Sequence, residues 1–330
     1  MKEEKILKFA IPKGSLQEAT MTLLKRSGYK ISNGKRSYRP TCNDEELEIK
    51  ILRPQEIPTM VSQQAHDLAI TGRDWIIETS ADVKILLDLE YGRINLVLAV
   101  PDQWSDINSC TDLLKEFISK GKDVRIFTEY LSSCKNYIMN NEYYGEKFGS
   151  ADPSIITPWW KIGENEKVKI IMSFGATEAK PPEDAEAIFD NTETGTTIAA
   201  NELKIIDRVS ESTAVLIANT ESWKDEWKRE KIKDVALLLT GVVEARKKLH
   251  IFLNIKNENI NKLLDKLPAL KRPTISPLAG IEGWSALNTI IKKDSFIELL
   301  PILRQYAEGI VIHEPRQILP SFSELKENWD

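Results

Sequence analysis

The chain has 330 residues, 42% of them apolar and 15 of them glycine, which excludes global disorder and sets a prior of two or three domains. Lys plus Arg number 45 against 50 Asp plus Glu, a net charge of −5 that argues against a nucleic-acid partner but leaves local phosphate sites open. Cys42, Cys110 and Cys134 are too far apart for a disulfide framework or a CxxC pair, and three histidines make a zinc site improbable. The opening Met1-Lys2-Glu3-Glu4-Lys5 has no signal-like apolar run, and apolar runs reach only about five residues, too short to cross a bilayer. The expectation is a cytoplasmic protein with reduced thiols and no membrane partner.

The first hundred residues alternate between strand and helix signals. Lys5–Ile11 reads as a strand, Pro12-Lys13-Gly14-Ser15 as a turn, and Leu16–Ser27 as a helix with Leu16, Ala19, Leu23 and Leu24 on one face. Glu46–Leu52 is the next strand, Ile57–Gln64 a short helix, Asp67–Thr71 a buried strand ending at Gly72, and Leu96–Val100 a strand stopped by Pro101. That alternation predicts an α/β fold with a mainly parallel sheet. A second α/β unit follows Pro101, with strands at Val124–Phe127, Val168–Met172 and Ala187–Phe189, helical character over Ile198–Lys204, and a returning strand at Thr213–Ala218. Asp225–Leu249 reads as one long helix carrying Ile232, Val235, Leu239, Val242 and Val243 on one side. Strands at His250–Ile255, Thr274–Ser276, Trp284–Ile291 and Ile310–His313, with helices at Asn257–Leu267 and Ser295–Tyr306, then give the βαββαβ order of a ferredoxin-like unit. The tail Ser321–Asp330 is expected to fray.

The sharpest chemical signal runs from Asp190 to Thr197. A strand delivers a carboxylate, and Thr194-Gly195-Thr196-Thr197 then opens a helix. Small residues let backbone N–H groups converge on an anion, threonine hydroxyls add donors, and Asp190 and Glu193 suit the vicinal hydroxyls of a polyol or a magnesium ion by way of water. An ordinary threonine-rich helix cap reads the same way locally. Two further turns close predicted strands, where ligands gather in open α/β sheets. Lys13 and Gly14 offer an ammonium beside a permissive backbone, while Gly72, Arg73 and Asp74, with Arg53 nearby, offer guanidinium and carboxylate groups. His66 and Cys134 lack partners at a catalytic spacing and read as structural, and Trp159, Trp160, Trp223 and Trp227 read as packing residues.

Taken in order, these segments resemble ATP phosphoribosyltransferase in its long form. The resemblance rests on Ile11-Pro12-Lys13-Gly14, on Arg53 with Glu56-Ile57-Pro58, and on Asp67 through Asp74. It continues in Arg125 through Tyr130, Gly175-Ala176-Thr177-Glu178, Thr192 through Thr197, and Pro273 through Leu278 with Gly283-Trp284. It implies a two-lobed catalytic core resembling periplasmic binding proteins, plus a C-terminal ferredoxin-like regulatory domain. Lobe I would take residues 1–102 and 206–228, lobe II residues 103–205, and the linker helix with the regulatory domain residues 229–330. By resemblance the substrates are ATP and phosphoribosyl pyrophosphate, with Mg2+, and the inhibitor is L-histidine at a pocket including Thr274, Ser276 and Leu278. The assembly would be a homo-hexamer built from dimers. Residues 194–197 would cradle the 5′-phosphate, with Asp190 and Glu193 at the ribose and with Lys13, Arg53, Arg73 and Asp74 on the opposite wall. Ser15 stands where the family usually has Arg, and Gln64, Ala69 and Glu202 where it usually has Gly. A two-lobed sensing protein or an inactive paralogue is the alternative reading.

Overall fold

The computed structural model describes residues 5–32, 37–266 and 273–321, so the predicted frayed tail beyond Ser321 and the end of the helix expected to reach Leu267 lie outside the described residues. In chain order the elements are β1 (Leu7–Pro12), α1 (Gln17–Arg26), β2 (Leu47–Leu52), α2 (Ile57–Ser62), β3 (Leu68–Gly72), α3 (Arg73–Thr79), β4 (Val83–Asp88) and β5 (Ile94–Pro101). There follow α4 (Cys110–Ile118), β6 (Val124–Thr128), α5 (Leu131–Met139), α6 (Glu142–Phe148), β7 (Pro153–Ile156), β8 (Lys161–Ile162) and β9 (Asn165–Met172). The remainder is β10 (Ala187–Thr192), α7 (Thr196–Ala200), β11 (Leu203–Ser212), β12 (Ala214–Asn219), α8 (Thr220–Lys224), α9 (Glu226–Arg246), β13 (Lys248–Lys256), α10 (Ile260–Leu264), β14 (Thr274–Pro277), β15 (Trp284–Lys292), α11 (Phe296–Tyr306) and β16 (Ala307–His313).

Two compact units account for the described residues, one within Lys8–Gln17 and Lys50–Ser222, the other within the described parts of Met1–Leu7, Glu18–Ile49 and Trp223–Asp330. The first unit is two-lobed. Lobe I is built on the sheet β2-β1-β3-β12-β4, and lobe II on the seven-stranded sheet β11-β5-β10-β6-β9-β7-β8. Both sheets are mixed rather than mainly parallel. β12 runs antiparallel to β3 and β4, and β5 antiparallel to β10 and β11; β5 and β12 are the first strands after the two crossings between lobes. Consequently β5 belongs to lobe II. The chain changes lobe between β4 and β5 and returns at Thr213, rather than at the expected boundaries near residues 102 and 206.

Local patterns explain most of these elements. Lobe II packs Leu98, Val100, Val124, Ile126, Val168, Ile170 and Phe189 into one core with Leu113, Leu114 and Ile138 from its helices. Full burial of a side chain of this kind contributes about 1.5–3 kcal/mol. Helix α4 begins where Ser109 accepts the Asp112 N–H and ends near Gly121. The helix expected over 198–204 is instead the short α7, one turn earlier. β11 begins at Leu203, whose side chain packs with Ile188 and Ile198. Gln64 and Glu202, where the resemblance leads to the expectation of glycine, hold φ of +62° and +57°. The left-handed backbone is therefore kept at both sites without glycine, at a cost of about 1–2 kcal/mol each.

In the second unit Asp225 caps α9 by accepting the Lys228 N–H at 2.8 Å. The helix buries Ile232, Val235, Ala236, Leu239, Val242 and Val243 as a stripe. The sheet order β14-β15-β13-β16, antiparallel throughout, is that of a ferredoxin-like unit. Alternate residues Leu249, Ile251, Leu253 and Ile255 of β13 face Leu287, Ile291, Leu299 and Leu303 in its core.

Candidate active site

Within the two-lobed unit, β1 and β3 run parallel, as do β10, β6, β9 and β7. The turns that follow these strands therefore gather on one edge of each sheet. The segments linking the lobes, 89–93 and Thr213, join the same edges, since Asp88 pairs with Val215 and Ser212 with Ile94. Strand carboxyl ends converging at a chain crossover are the usual place for a ligand in open α/β sheets.

On lobe I, Lys13, Gly14, Ser15, Arg53, Pro54 and Gln55 line a pocket of about 200 Å³. The Lys13 N–H donates to the Leu52 carbonyl at 2.7 Å, which holds the two strand ends together. Gly14 has φ +85° with open space where a Cβ would lie, so its backbone conformation, not crowding, calls for glycine. Ser15 lines the pocket without adding charge, and Lys13 and Arg53 are its cationic side chains.

Arg73 and Asp74, expected in a turn, lie at the start of a helix. Rather than forming a turn, Arg73 opens α3, its N–H donating to the Thr213 carbonyl at 3.0 Å and its guanidinium 3.8 Å from Asp88. Asp74 is 5% exposed. Its carboxylate accepts the Ser212 hydroxyl at 2.7 Å and the Tyr130 hydroxyl at 2.8 Å, and its N–H donates to Ser212 Oγ at 2.9 Å. Gly72 is required beside it, because a Cβ there would collide with the Asp74 carboxylate. Asp74 thus ties lobe I to lobe II.

Further ties lie alongside. The Trp75 and Tyr130 rings stack with centroids 4.5 Å apart, and Glu78 accepts the Ser132 and Ser133 N–H groups at 2.8 and 2.9 Å at the start of α5. Burial, then the Asp74 carboxylate, raise the Tyr130 phenol far above its ordinary range, so it stays a donor. Its oxygen in turn accepts Asn191 Nδ2 at 3.1 Å, connecting the junction to β10. Sequence patterns singled out Asp74 and Tyr130 as motif residues but gave no sign of their contact, which spans 56 positions.

On lobe II, β10 carries Asp190 at the edge of the junction and α7 follows. Gly195 caps α7 at φ +83°, and a Cβ there would sit 3.4 Å from Ile205 Cδ1. Its N–H donates to Thr192 Oγ1 at 2.8 Å, and the Thr194 and Thr196 hydroxyls lie 2.6 Å apart. Glu193, Thr194, Thr196 and Thr197 show their side chains at the surface, with Ile198 anchoring the turn below. Asp190 accepts the Thr177 hydroxyl and the Asn191 N–H. Burial, reinforced by Glu178 and Glu129, pushes its carboxyl up from 3.8 to about 6 against those two hydrogen bonds.

The regulatory candidates lie elsewhere. Thr274 and Ser276 stand exposed on the edge strand β14, and the Leu278 N–H donates to the Trp284 carbonyl at 3.0 Å. Cys134 is fully buried with its thiol raised well above 9, and burial pushes Cys110 up to about 12, so neither is a nucleophile near neutrality. Trp159 and Trp160, expected to pack, are instead 71% and 46% exposed, lying in the turn between β7 and β8. No helix among the described residues is long and apolar enough to cross a membrane.

Comparison with known proteins covers most of the chain. Residues 53–241 match the family model described as ATP phosphoribosyltransferase, and residues 245–314 the one described as HisG, C-terminal domain. The ATP phosphoribosyltransferase of Chlorobaculum parvum is 39% identical over 95% of this chain and 98% of that protein. That of Chlorobium chlorochromatii is 41% identical over 93% and 96%. Among solved structures, a chain of the ATP phosphoribosyl transferase (HisG:HisZ) complex from Thermotoga maritima superposes with a TM-score of 0.54 at 25% identity, covering 72% of this chain and 99% of its own.

Proposed function

From the premise that this chain belongs to the ATP phosphoribosyltransferase family, we propose how its residues divide the work of that reaction. The enzyme transfers 5-phosphoribosyl from phosphoribosyl pyrophosphate to N1 of the adenine of ATP, the first step of L-histidine biosynthesis. A bond forms from N1 to C1 of the ribose as the bond from C1 to the pyrophosphate oxygen breaks, and the electron pair leaves with pyrophosphate. The carbon passes through an oxocarbenium-like state, so the protein must position two substrates and stabilise an anion rather than supply a nucleophile.

The turn at Thr194, Gly195, Thr196 and Thr197 takes the 5′-phosphate through backbone N–H groups and hydroxyls, and Asp190 and Glu193 accept the ribose hydroxyls. Lys13, Gly14 and Arg53 hold the departing pyrophosphate or the phosphates of ATP, and Arg73 adds charge farther along the same edge. With Ser15 in place of the family's usual Arg, the charge of that pocket falls to Lys13 and Arg53. Gly72 and Asp74 brace the junction through Ser212 and Tyr130. This brace places the lobes on either side of the substrates, where a domain closure exclusive of water completes the site.

Magnesium fits this site as a companion of the substrates' phosphates. Among the described residues no group of three or more His, Cys, Asp and Glu is placed to cage a metal ion. Mg2+ characteristically keeps several waters and takes phosphates with one or two carboxylates, which Asp190 and Glu193 would supply. When bound, it neutralises charge on the leaving pyrophosphate. Feedback inhibition by L-histidine at β14, through Thr274, Ser276 and Leu278, and a hexamer built from dimers follow from the family resemblance.

The observation that carries this reading is the glycine-capped threonine turn at the end of β10. Gly195→Val strains a positive φ and crowds Ile205, so calorimetry should find phosphoribosyl pyrophosphate binding lost and ATP binding kept. Unchanged affinity for the sugar pyrophosphate would remove the turn from the site.

A further inference from the structure

Strand β10 delivers Asp190 to the candidate site, and the residue after it departs from what its strand position asks for. Side chains alternate along a strand, so Asn191 shares a face with Ala187 and Phe189, both in the lobe II core, and stands opposite Leu96 of the same core. Packing alone calls for an apolar side chain there. The Asn191 amide instead donates to the Tyr130 hydroxyl oxygen at 3.1 Å and to Asp190 Oδ1 at 3.4 Å, and the Asn191 backbone N–H donates to that same Oδ1 at 2.7 Å. Chemistry fixes which end of the amide faces inward. The Tyr130 O–H is already given to Asp74, and the Asp190 carboxylate offers oxygens, so both partners call for the nitrogen.

A continuous hydrogen-bonded chain results. It runs from Ser212 through Asp74, Tyr130 and Asn191 to Asp190 and on to Thr177, that is, from the crossing between the lobes to the carboxylate proposed for the ribose. On lobe I the chain ends beside the phosphate pocket. Asp74 follows β3, which pairs in parallel with β1, Ala10 facing Ala69, so it lies one strand, about 4.8 Å, from the strand that leads into Lys13. Transfer between substrates held by two lobes requires the reacting atoms in one fixed relation, and small misplacements cost rate. We infer that Asn191 is a positioning residue for the transfer, locking the Asp190 carboxylate to the lobe junction so that the two lobes present their substrates in register. The inference rests on assigning Asp190 to the ribose of phosphoribosyl pyrophosphate.

The test is Asn191→Leu in the full chain, which removes the amide donors at nearly equal volume and keeps the backbone N–H to Asp190. Because Asp190 retains that bond and the Thr177 hydroxyl, calorimetry should find phosphoribosyl pyrophosphate alone binding within about twofold of the unaltered chain. Steady-state kcat should fall roughly 2- to 12-fold, the worth of one hydrogen bond, while KM for ATP holds. In a Tyr130→Phe background the junction partner is already gone, so Asn191→Leu should lower kcat no further. An unaltered kcat, or a loss that adds in full to that of Tyr130→Phe, overturns the link. A loss of sugar pyrophosphate affinity that accounts for the whole fall in kcat/KM makes Asn191 a part of the ribose site alone and also overturns it. Asp190→Ala that binds the sugar pyrophosphate as before removes the ribose assignment itself, a failure separate from any result with Asn191→Leu.

Discussion

Asp190→Asn removes a carboxyl that burial holds at about 6, against 3.8 in the unfolded chain. Between those values the folded protein binds more protons than the unfolded one, so the stability this residue contributes falls as pH rises through the window. It is fully present below pH 3.8 and lost above about 6. Integrated from pH 4.5 to 7.5, the shift withdraws about 2 kcal/mol. Asparagine has no proton to lose at these pH values, and its carbonyl oxygen still accepts the Thr177 hydroxyl. Urea unfolding followed by tryptophan fluorescence at pH 4.5 and 7.5 gives four free energies. The unaltered protein should lose about 2 kcal/mol more than the variant over that interval. Parallel losses in the two proteins would refute the claim that burial governs this carboxyl. The ribose role adds a second reading. Below pH 6 a protonated Asp190 has fewer acceptor sites for sugar hydroxyls, so affinity for phosphoribosyl pyrophosphate should drop there by a step that Asp190→Asn lacks.

Other substitutions probe the junction and the sites around it. Tyr130→Phe leaves the buried Asp74 carboxylate one donor short, so urea unfolding should show about 1–3 kcal/mol of lost stability, and no loss would contradict the brace. Arg73→Ala removes a guanidinium that is 38% exposed, so steady-state turnover should fall while the melting temperature stays nearly constant; unaltered kinetics would remove Arg73 from the site. Thr274→Ala combined with Ser276→Ala changes exposed residues of an edge strand, so the uninhibited rate should hold while more L-histidine is needed for half-inhibition. Inhibition at the original concentration would place the effector elsewhere.

What the amino-acid order determined by itself was local. The glycine-threonine turn after β10, the Asp225 cap of α9 and the alternation along β13 are each encoded within a few consecutive residues, because helix and strand periods and φ preferences act at that range. The ferredoxin-like order followed, since short connections leave few ways to pair four such strands. Only the tertiary structure decided that β5 joins the second sheet, that Asp74 is buried in the junction and that Trp159 stands in solvent. The bond between Ser212 and Asp74 joins residues 138 positions apart, and burial at that distance depends on which strands pair, which no local pattern of side chains specifies.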